Sequence, residues 1–392
     1  MSESNRHSAT TASAGSAALR TQRKHHPLPR ALDRARARLP RWPLLAVLAL
    51  GLATLATASA RAVEIHEGEI DGAPYTVAVP DARRQGRVFL PVHGWRPADA
   101  PHLADLDLTD PFIARLLADG WVIGRTAFRE NGVDHPAHTR AVRDLRDWIA
   151  AEIGPVELLI MDGESTAGTL MARIAEQDPA LADGVIAMAP FFDFEDEGND
   201  AHVRATPRIP LMLMSNITEI EAPVAYAARA ANAAVVPSLR PILRPGHVNI
   251  NAEERWAALA AMQRWIEDDA HPGFADGTRT VPPRATGTTR AGGTLVNRVR
   301  SVNPFYGNAT LDFHPDEWRD AGFEQGESFE IEIHGERWPV LFGTTYGDVP
   351  VGEWVAFPTA DARILLVRNH RNASRSAGLS PGDTVQVRAL AD

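Results

Sequence analysis

The sequence has no cysteine and, over 392 residues, one lysine, Lys24. The first absence removes thiol nucleophiles, thiolate zinc sites, iron–sulfur clusters and disulfides. The second removes Schiff-base, P-loop and general-base lysines from everything beyond the N-terminal segment. Serine, threonine, histidine and carboxylates are left to carry chemistry. Metal-ligand patterns are also lacking. His135 and His138 stand three apart, but Pro136 between them predicts a loop, and no carboxylate lies beside them at ligand spacing. Neither a metal nor a cofactor is expected.

Long apolar runs are scarce, and the one present lies near the start. Residues 1–43 are polar and rich in Ser, Thr and Arg, Leu44 to Ala60 carries no charge, and Ala58-Ser59-Ala60-Arg61-Ala62 follows. A basic flank, a short apolar core and an Ala-x-Ala site predict a secretory signal, and with it a periplasmic or extracellular protein. The alternative is an uncleaved membrane anchor, for which the run is short against the ~20 residues of a span. Segment 1–62 holds ten Lys and Arg against two Asp and Glu; removing its +8 from the formal charge of −10 leaves −18. A body this acidic does not suit nucleic acid, whose phosphates need clustered cations.

Between residues 63 and 270, apolar runs alternate with helical periodicity. Strands are expected at Tyr75–Val79, Arg87–Val92, Trp121–Gly124, Val156–Met161, Gly184–Ala189, Pro210–Met214 and within Val235–Leu243. Helices are expected at Asp110–Ala118, Thr139–Ile153, Ala167–Gln177, Pro223–Ala233 and Glu253–Asp268. The alternation predicts an α/β domain with a doubly wound, mostly parallel sheet covered on both faces. Residues 271–292 are rich in Gly, Pro, Thr and Arg without a period and read as a linker. Residues 293–392 change to short period-two strands, at Phe329–Ile333, Trp338–Phe342, Ile364–Val367 and Thr384–Val387. Gly326, Gly335, Gly347 and Pro381-Gly382 punctuate them, which predicts a small all-β domain.

One segment concentrates the chemistry. The strand Val156–Met161 runs through Asp162 into Gly163-Glu164-Ser165-Thr166-Ala167-Gly168 and then a helix. Serine in Gly-x-Ser-x-Ala-Gly, between a buried strand and a helix, is placed on a sharp turn with its hydroxyl exposed. By itself the hexapeptide would equally suit an N-cap serine. Its partners, however, follow in the required order. Gly246-His247-Val248-Asn249 comes after the last strand and before the last helix, which makes His247 the candidate general base. Glu219, in the loop leaving Pro210–Met214, is the candidate acid; Glu221, Asp193 and Asp196 are its rivals. An unprotonated His247 would take the Ser165 proton as the hydroxyl attacks a carbonyl, then return it to the leaving group. The oxyanion needs backbone N–H donors, expected from Thr166 and from Gly94 or Trp95 in His93-Gly94-Trp95-Arg96. Arg125 and Arg129 could bind an acidic substrate group or pair with local carboxylates.

These motifs resemble the α/β-hydrolase superfamily over roughly residues 63–270. The departures are Ala167 in place of a second glycine and a glutamate as the acid. The resemblance implies an exported serine hydrolase acting on a small ester or amide. Another segment carries a second resemblance. Val302-Asn303-Pro304-Phe305-Tyr306-Gly307-Asn308-Ala309, Thr345-Tyr346-Gly347-Asp348 and Asn369-His370-Arg371-Asn372-Ala373, closed by Leu379-Ser380-Pro381-Gly382-Asp383, resemble the C-terminal β domain of the S-adenosylmethionine hydroxide adenosyltransferase family. That likeness implies a barrel-like fold. It also implies that Phe305, Tyr306 and Asn308 could grip a ring opposite Asn369, Asn372 and Ala373. Nothing here resembles that family's other domain, and Asn303 replaces its Asp. The β domain is otherwise expected to be a reused module that shapes a cleft or joins copies of the chain. A binding or assembly protein with a vestigial hydrolase domain, whose β module binds an adenosine-like ligand or another subunit, is the alternative reading.

Overall fold

The computed structural model describes residues 63–84, 86–282 and 284–390. The signal or anchor expected over 1–62 lies outside them. Among the described residues, no helix is long and apolar enough to cross a membrane.

The first domain is built on eight strands: β1 Val63–Ile70, β2 Ala73–Pro80, β3 Arg87–Val92, β4 Val122–Thr126, β5 Leu158–Glu164, β6 Gly184–Met188, β7 Leu211–Asn216 and β8 Ser238–Ile242. Their spatial order is β1-β2-β4-β3-β5-β6-β7-β8. The pairs β1–β2 and β2–β4 are antiparallel and all the others parallel. Helices α1 Pro111–Ala118, α2 His135–Glu152, α3 Thr166–Gln177, α4 Glu221–Arg229 and α5 Ala252–Asp268 cover the sheet. Strand periodicity divides the core between the two faces. Leu159 and Met161 of β5 pack into one buried cluster with Leu170 and Leu213, while Leu158 and Ile160 pack into another with Phe89, Met212 and Trp265.

Two features depart from the sequence reading. Strand β1, exposed and acidic, pairs with β2 at the sheet's edge, where no buried run advertises it. Pro136 does not keep the histidines in a loop. Helix α2 begins at His135, Asp134 accepts a hydrogen bond from the Ala137 N–H, and proline occupies the first turn. Proline is tolerated there because it removes an N–H that has no intrahelical acceptor.

After β3 the chain moves to β4 on one side of the sheet and then returns to β5 on the other. The loops leaving β3 and β5 therefore open a crevice at the carboxyl end of the sheet, where α/β folds place their sites. Downstream of α5, residues 273–277 run along the outer edge of β8. Ala275 N donates to Leu239 O at 3.1 Å, and Gly277 N to Pro241 O at 2.9 Å.

The second domain comprises β9 Thr289–Ala291, β10 Thr294–Val302, β11 Ala309–Leu311, β12 Ser328–Ile333, β13 Glu336–Phe342, β14 Trp354–Pro358, β15 Ile364–Arg368 and β16 Thr384–Ala389, with short helices α6 Pro315–Asp320 and α7 Ala373–Ala377. Strand β9 begins inside the stretch read as linker and forms a hairpin with β10 across Gly292-Gly293, both at positive φ. The order β11-β15-β14-β13-β12-β16-β10 is closed by a β10–β11 pairing, so seven strands make a barrel and β9 adds to it. Trp318 fills its centre, edge-on to Phe313, Phe323, Phe329 and Phe342.

Candidate active site

Ser165 stands between the end of β5 and the start of α3 with φ 57° and ψ −121°. That region is strained for a residue with a Cβ and persists only when its surroundings hold it. Here the Ser165 N–H donates to Met188 O at 2.8 Å. The turn also needs missing side chains. A Cβ on Gly163 would lie 2.4 Å from Ala167 O, and one on Gly168 would lie 2.6 Å from Met188 O. Ala167 fits because the close approach to β6 falls on Gly168 instead. Gly94 is packed against the same turn: a Cβ there would meet Glu164 O at 2.7 Å and the Ser165 Cβ at 3.2 Å. Glycine at 94 thus lets the β3 loop touch the serine turn.

The loop after β8 brings His247 over Ser165. His247 Nε2 is 2.9 Å from Ser165 Oγ, and Nδ1 is 2.6 Å from Glu219 Oε2. Glu219 ends a 3₁₀ turn, Ile217–Glu219, directly after β7. Its second oxygen accepts the Val248 N–H at 3.4 Å. The other acids lie elsewhere. Glu221 opens α4, and Asp193 caps its own loop by accepting from Glu195 N and Asp196 N.

The histidine loop is braced by residues not singled out from sequence alone. Asn216, fully buried at the end of β7, accepts from Asn249 N at 2.9 Å and donates to Asn249 O at 3.0 Å. Thr218 is bonded to both the N–H and the C=O of Gly246. Arg244 reaches Asn249 O and the buried Glu254. The polar type of these residues was visible, but the pairing of Asn216 and Thr218 with the histidine loop, across 28 or more positions, was not.

Strand β5 is fixed from below by an ion pair. Asp162 Oδ2 receives both Nε and Nη2 of Arg255, at 3.0 and 2.7 Å, and the guanidinium lies over the Phe112 ring. Burial pushes the Asp162 carboxyl upward, and Arg255 draws it back. Removing one partner of such a pair typically costs ~3–5 kcal/mol, because the other charge is left buried alone.

Thr166 opens α3, whose first N–H groups have no intrahelical acceptor and carry the positive end of the helix dipole. Thr166 directly follows Ser165, and Gly94 is packed against the same turn, so the backbone of both lies beside the serine. Arg129 pairs with Asp71. Phe192 and Phe194 pack on Tyr226, while Phe191 stacks on the His247 ring with centroids 5.3 Å apart.

Most of the β-domain residues expected to grip a ring are otherwise engaged. The Phe305 ring is buried beneath Arg96, whose guanidinium carbon is 3.4 Å from the centroid. The Tyr306 hydroxyl donates to Trp95 O. Asn372 caps α7 by accepting from Arg375 N, Asn369 donates to Val349 O, and Asn303 accepts from Phe305 N and Tyr306 N. Asn308 is half-buried, and its Oδ1 is buried with no hydrogen-bond partner. Among the described residues, no group of three or more His, Asp or Glu side chains is arranged to hold a metal ion.

Sheet order, serine turn and histidine loop define the first domain as an α/β-hydrolase fold. Residues 305–386, within the barrel, match the SAM hydroxide adenosyltransferase C-terminal domain family. No curated protein matches the chain. Among solved structures it is similar to an uncharacterized conserved protein from Thermotoga maritima (15% identity, 31% of this chain and 45% of that one, TM-score 0.25). It is also similar to an esterase/lipase from an uncultured bacterium (13% identity, 46% and 74%, TM-score 0.36) and to an arylesterase (14% identity, 46% and 75%, TM-score 0.34). The chain therefore spans less than half of the Thermotoga protein's length.

Behind the β3 loop lies a buried histidine cluster. His93 bonds to Gly94 O at 2.7 Å, and its pKa is held well below the usual histidine range by burial and by Arg96 and Arg125. Burial lowers His135 as well. His138, stacked on Phe128 at 3.8 Å, is brought down to about 4 by burial and by His135. A histidine kept neutral by the fold takes up its proton more readily when unfolded. Stability is therefore complete above pH ~6.5 and drains as pH falls toward the folded-state pKa. His138→Phe is expected to reduce the loss of unfolding free energy between pH 7 and pH 4.5 by roughly 2–3 kcal/mol. Urea titrations at the two pH values measure it, and an unchanged difference would refute the assignment.

Proposed function

We propose that the protein is an exported serine hydrolase that cleaves a carboxylic ester through an acyl-enzyme. The reading rests on one observation: Glu219, His247 and Ser165 form a continuous hydrogen-bonded chain at 2.6 and 2.9 Å, ending on a serine in strained backbone geometry. His247 Nε2 accepts the Ser165 proton as Oγ bonds to the ester carbon. Glu219 holds Nδ1 protonated and stabilises the imidazolium. The tetrahedral oxyanion is held by N–H groups of Thr166 and of the Gly94–Trp95 segment. Collapse expels the alcohol, which takes the proton from His247. Water then repeats the sequence and releases the acid. Export rests on the basic, apolar and small-residue order of residues 1–62.

A fluorophosphonate probe tests the reading, because it phosphonylates only a serine made nucleophilic by such a base. The wild-type protein is expected to incorporate one probe per chain at Ser165. Failure to label under conditions that saturate a known serine esterase would leave the first domain as a binding scaffold.

A further inference from the structure

The barrel touches the first domain at the two loops on which ester cleavage would depend. On one side, the Tyr306 hydroxyl donates to Trp95 O, in the loop that lies against Ser165, and Arg96 of that loop is seated on Phe305. On the other side, the loop after β14 grips the histidine loop. Ala360 N donates to Asn249 Oδ1 at 2.5 Å, and Asn249 Nδ2 reaches Pro358 O at 3.3 Å. Between these holds, Tyr346 stands edge-on to the His247 ring at 6.2 Å and to His370 at 6.2 Å. Phe191 stacks on the same imidazole.

Both aromatic rings beside His247 keep much of their surface open: Phe191 is 46% and Tyr346 39% exposed. Large rings left uncovered next to a reacting centre provide an apolar wall for a ligand, and flat apolar groups gain from stacking there. The Trp95 carbonyl, by contrast, is taken. A carbonyl pinned from outside fixes the plane of its peptide, here the one joining Trp95 to Arg96, and so restrains the loop that carries Gly94 and Trp95.

We propose that the barrel completes the active site: Tyr306 positions the oxyanion loop through Trp95, and Tyr346, beside His247 as Phe191 is, contacts the substrate, an ester bearing a flat ring. The proposal rests on the hydrolase reading above. Tyr306 is a positioning residue, because it acts through the backbone of residue 95. Tyr346 sets specificity.

The test uses the full chain with phenyl acetate and vinyl acetate, two activated esters of which only the first carries a ring. Tyr306→Phe keeps the ring and loses the hydroxyl. It is expected to lower kcat about tenfold for both esters with KM unchanged, less than the hundredfold or more that follows loss of a donor itself. Hydrogen exchange at residues 94–96 should quicken in the same variant whether or not an ester is turned over. Tyr346→Ala should raise KM for phenyl acetate about five- to tenfold more than for vinyl acetate, with Tyr346→Phe restoring the wild-type ratio. Wild-type kinetics and exchange in both variants, in an enzyme that labels and turns over, would overturn the inference. A wild-type protein that neither labels nor turns over would instead overturn the hydrolase reading and the specificity role with it. The exchange result would then still decide whether Tyr306 holds the loop.

Discussion

Ser165→Ala is expected to lower kcat on an activated ester by about a millionfold, the scale seen when a triad nucleophile is removed. In the proposed mechanism the alcohol is the group that bonds to carbon, and no thiol can replace it, since cysteine is absent. A residual rate above that of water should survive, because the N–H groups around the site and the binding surface remain. The variant should fold normally. Alanine inherits the same positive φ, and Ser165 makes no side-chain cap to its helix. Steady-state turnover and probe labelling, with thermal melting as control, check the prediction. A loss of tenfold or less in a folded variant would exclude Ser165 as nucleophile.

Glu219→Gln is expected to lower kcat about ten-thousandfold with little change in KM. The amide can still accept the Val248 N–H through its oxygen. Its NH₂ would then face Nδ1 and require that nitrogen to be an acceptor. The ring proton moves to Nε2, which points at Ser165 Oγ, and the histidine can no longer take the serine proton. Glu221→Gln and Asp193→Asn should leave kcat near wild type, since neither carboxylate reaches the imidazole. If Glu221→Gln were the damaging change, the acid would be misassigned.

Much of the first domain was legible because its signals are local. β5, the serine turn and α3 are contiguous in sequence, and a buried strand running into small residues and then a helix has few other meanings. The order of serine, acid and histidine could be checked along the chain. Several things could not be read. Strand β1 is exposed and acidic, so hydrophobic alternation has nothing to register. The rival acids Glu219 and Glu221 sit two residues apart, and only the end of the 3₁₀ turn decides which faces His247. Pro136 was misleading because a proline's meaning depends on its position within the helix, and the Asp134 cap sets that position. The barrel's placement was the least accessible. Phe305 and Tyr306 have the composition of a ring-binding wall, and whether that wall faces a ligand or a neighbouring domain depends on tertiary docking, which no local pattern encodes.

The segment at residues 273–277 has a consequence for how this molecule meets others. An open sheet margin is a template on which a second polypeptide can add a strand, and proteins defend it. At β8 the chain's own connector occupies part of that template before any visitor can. At the opposite margin, Glu64, Glu67 and Glu69 of β1 surround the backbone with negative charge. The sheet is thus shielded against lateral extension at both ends, by two unrelated devices. Strand addition at either margin of this sheet would first have to displace the connector or meet that charge.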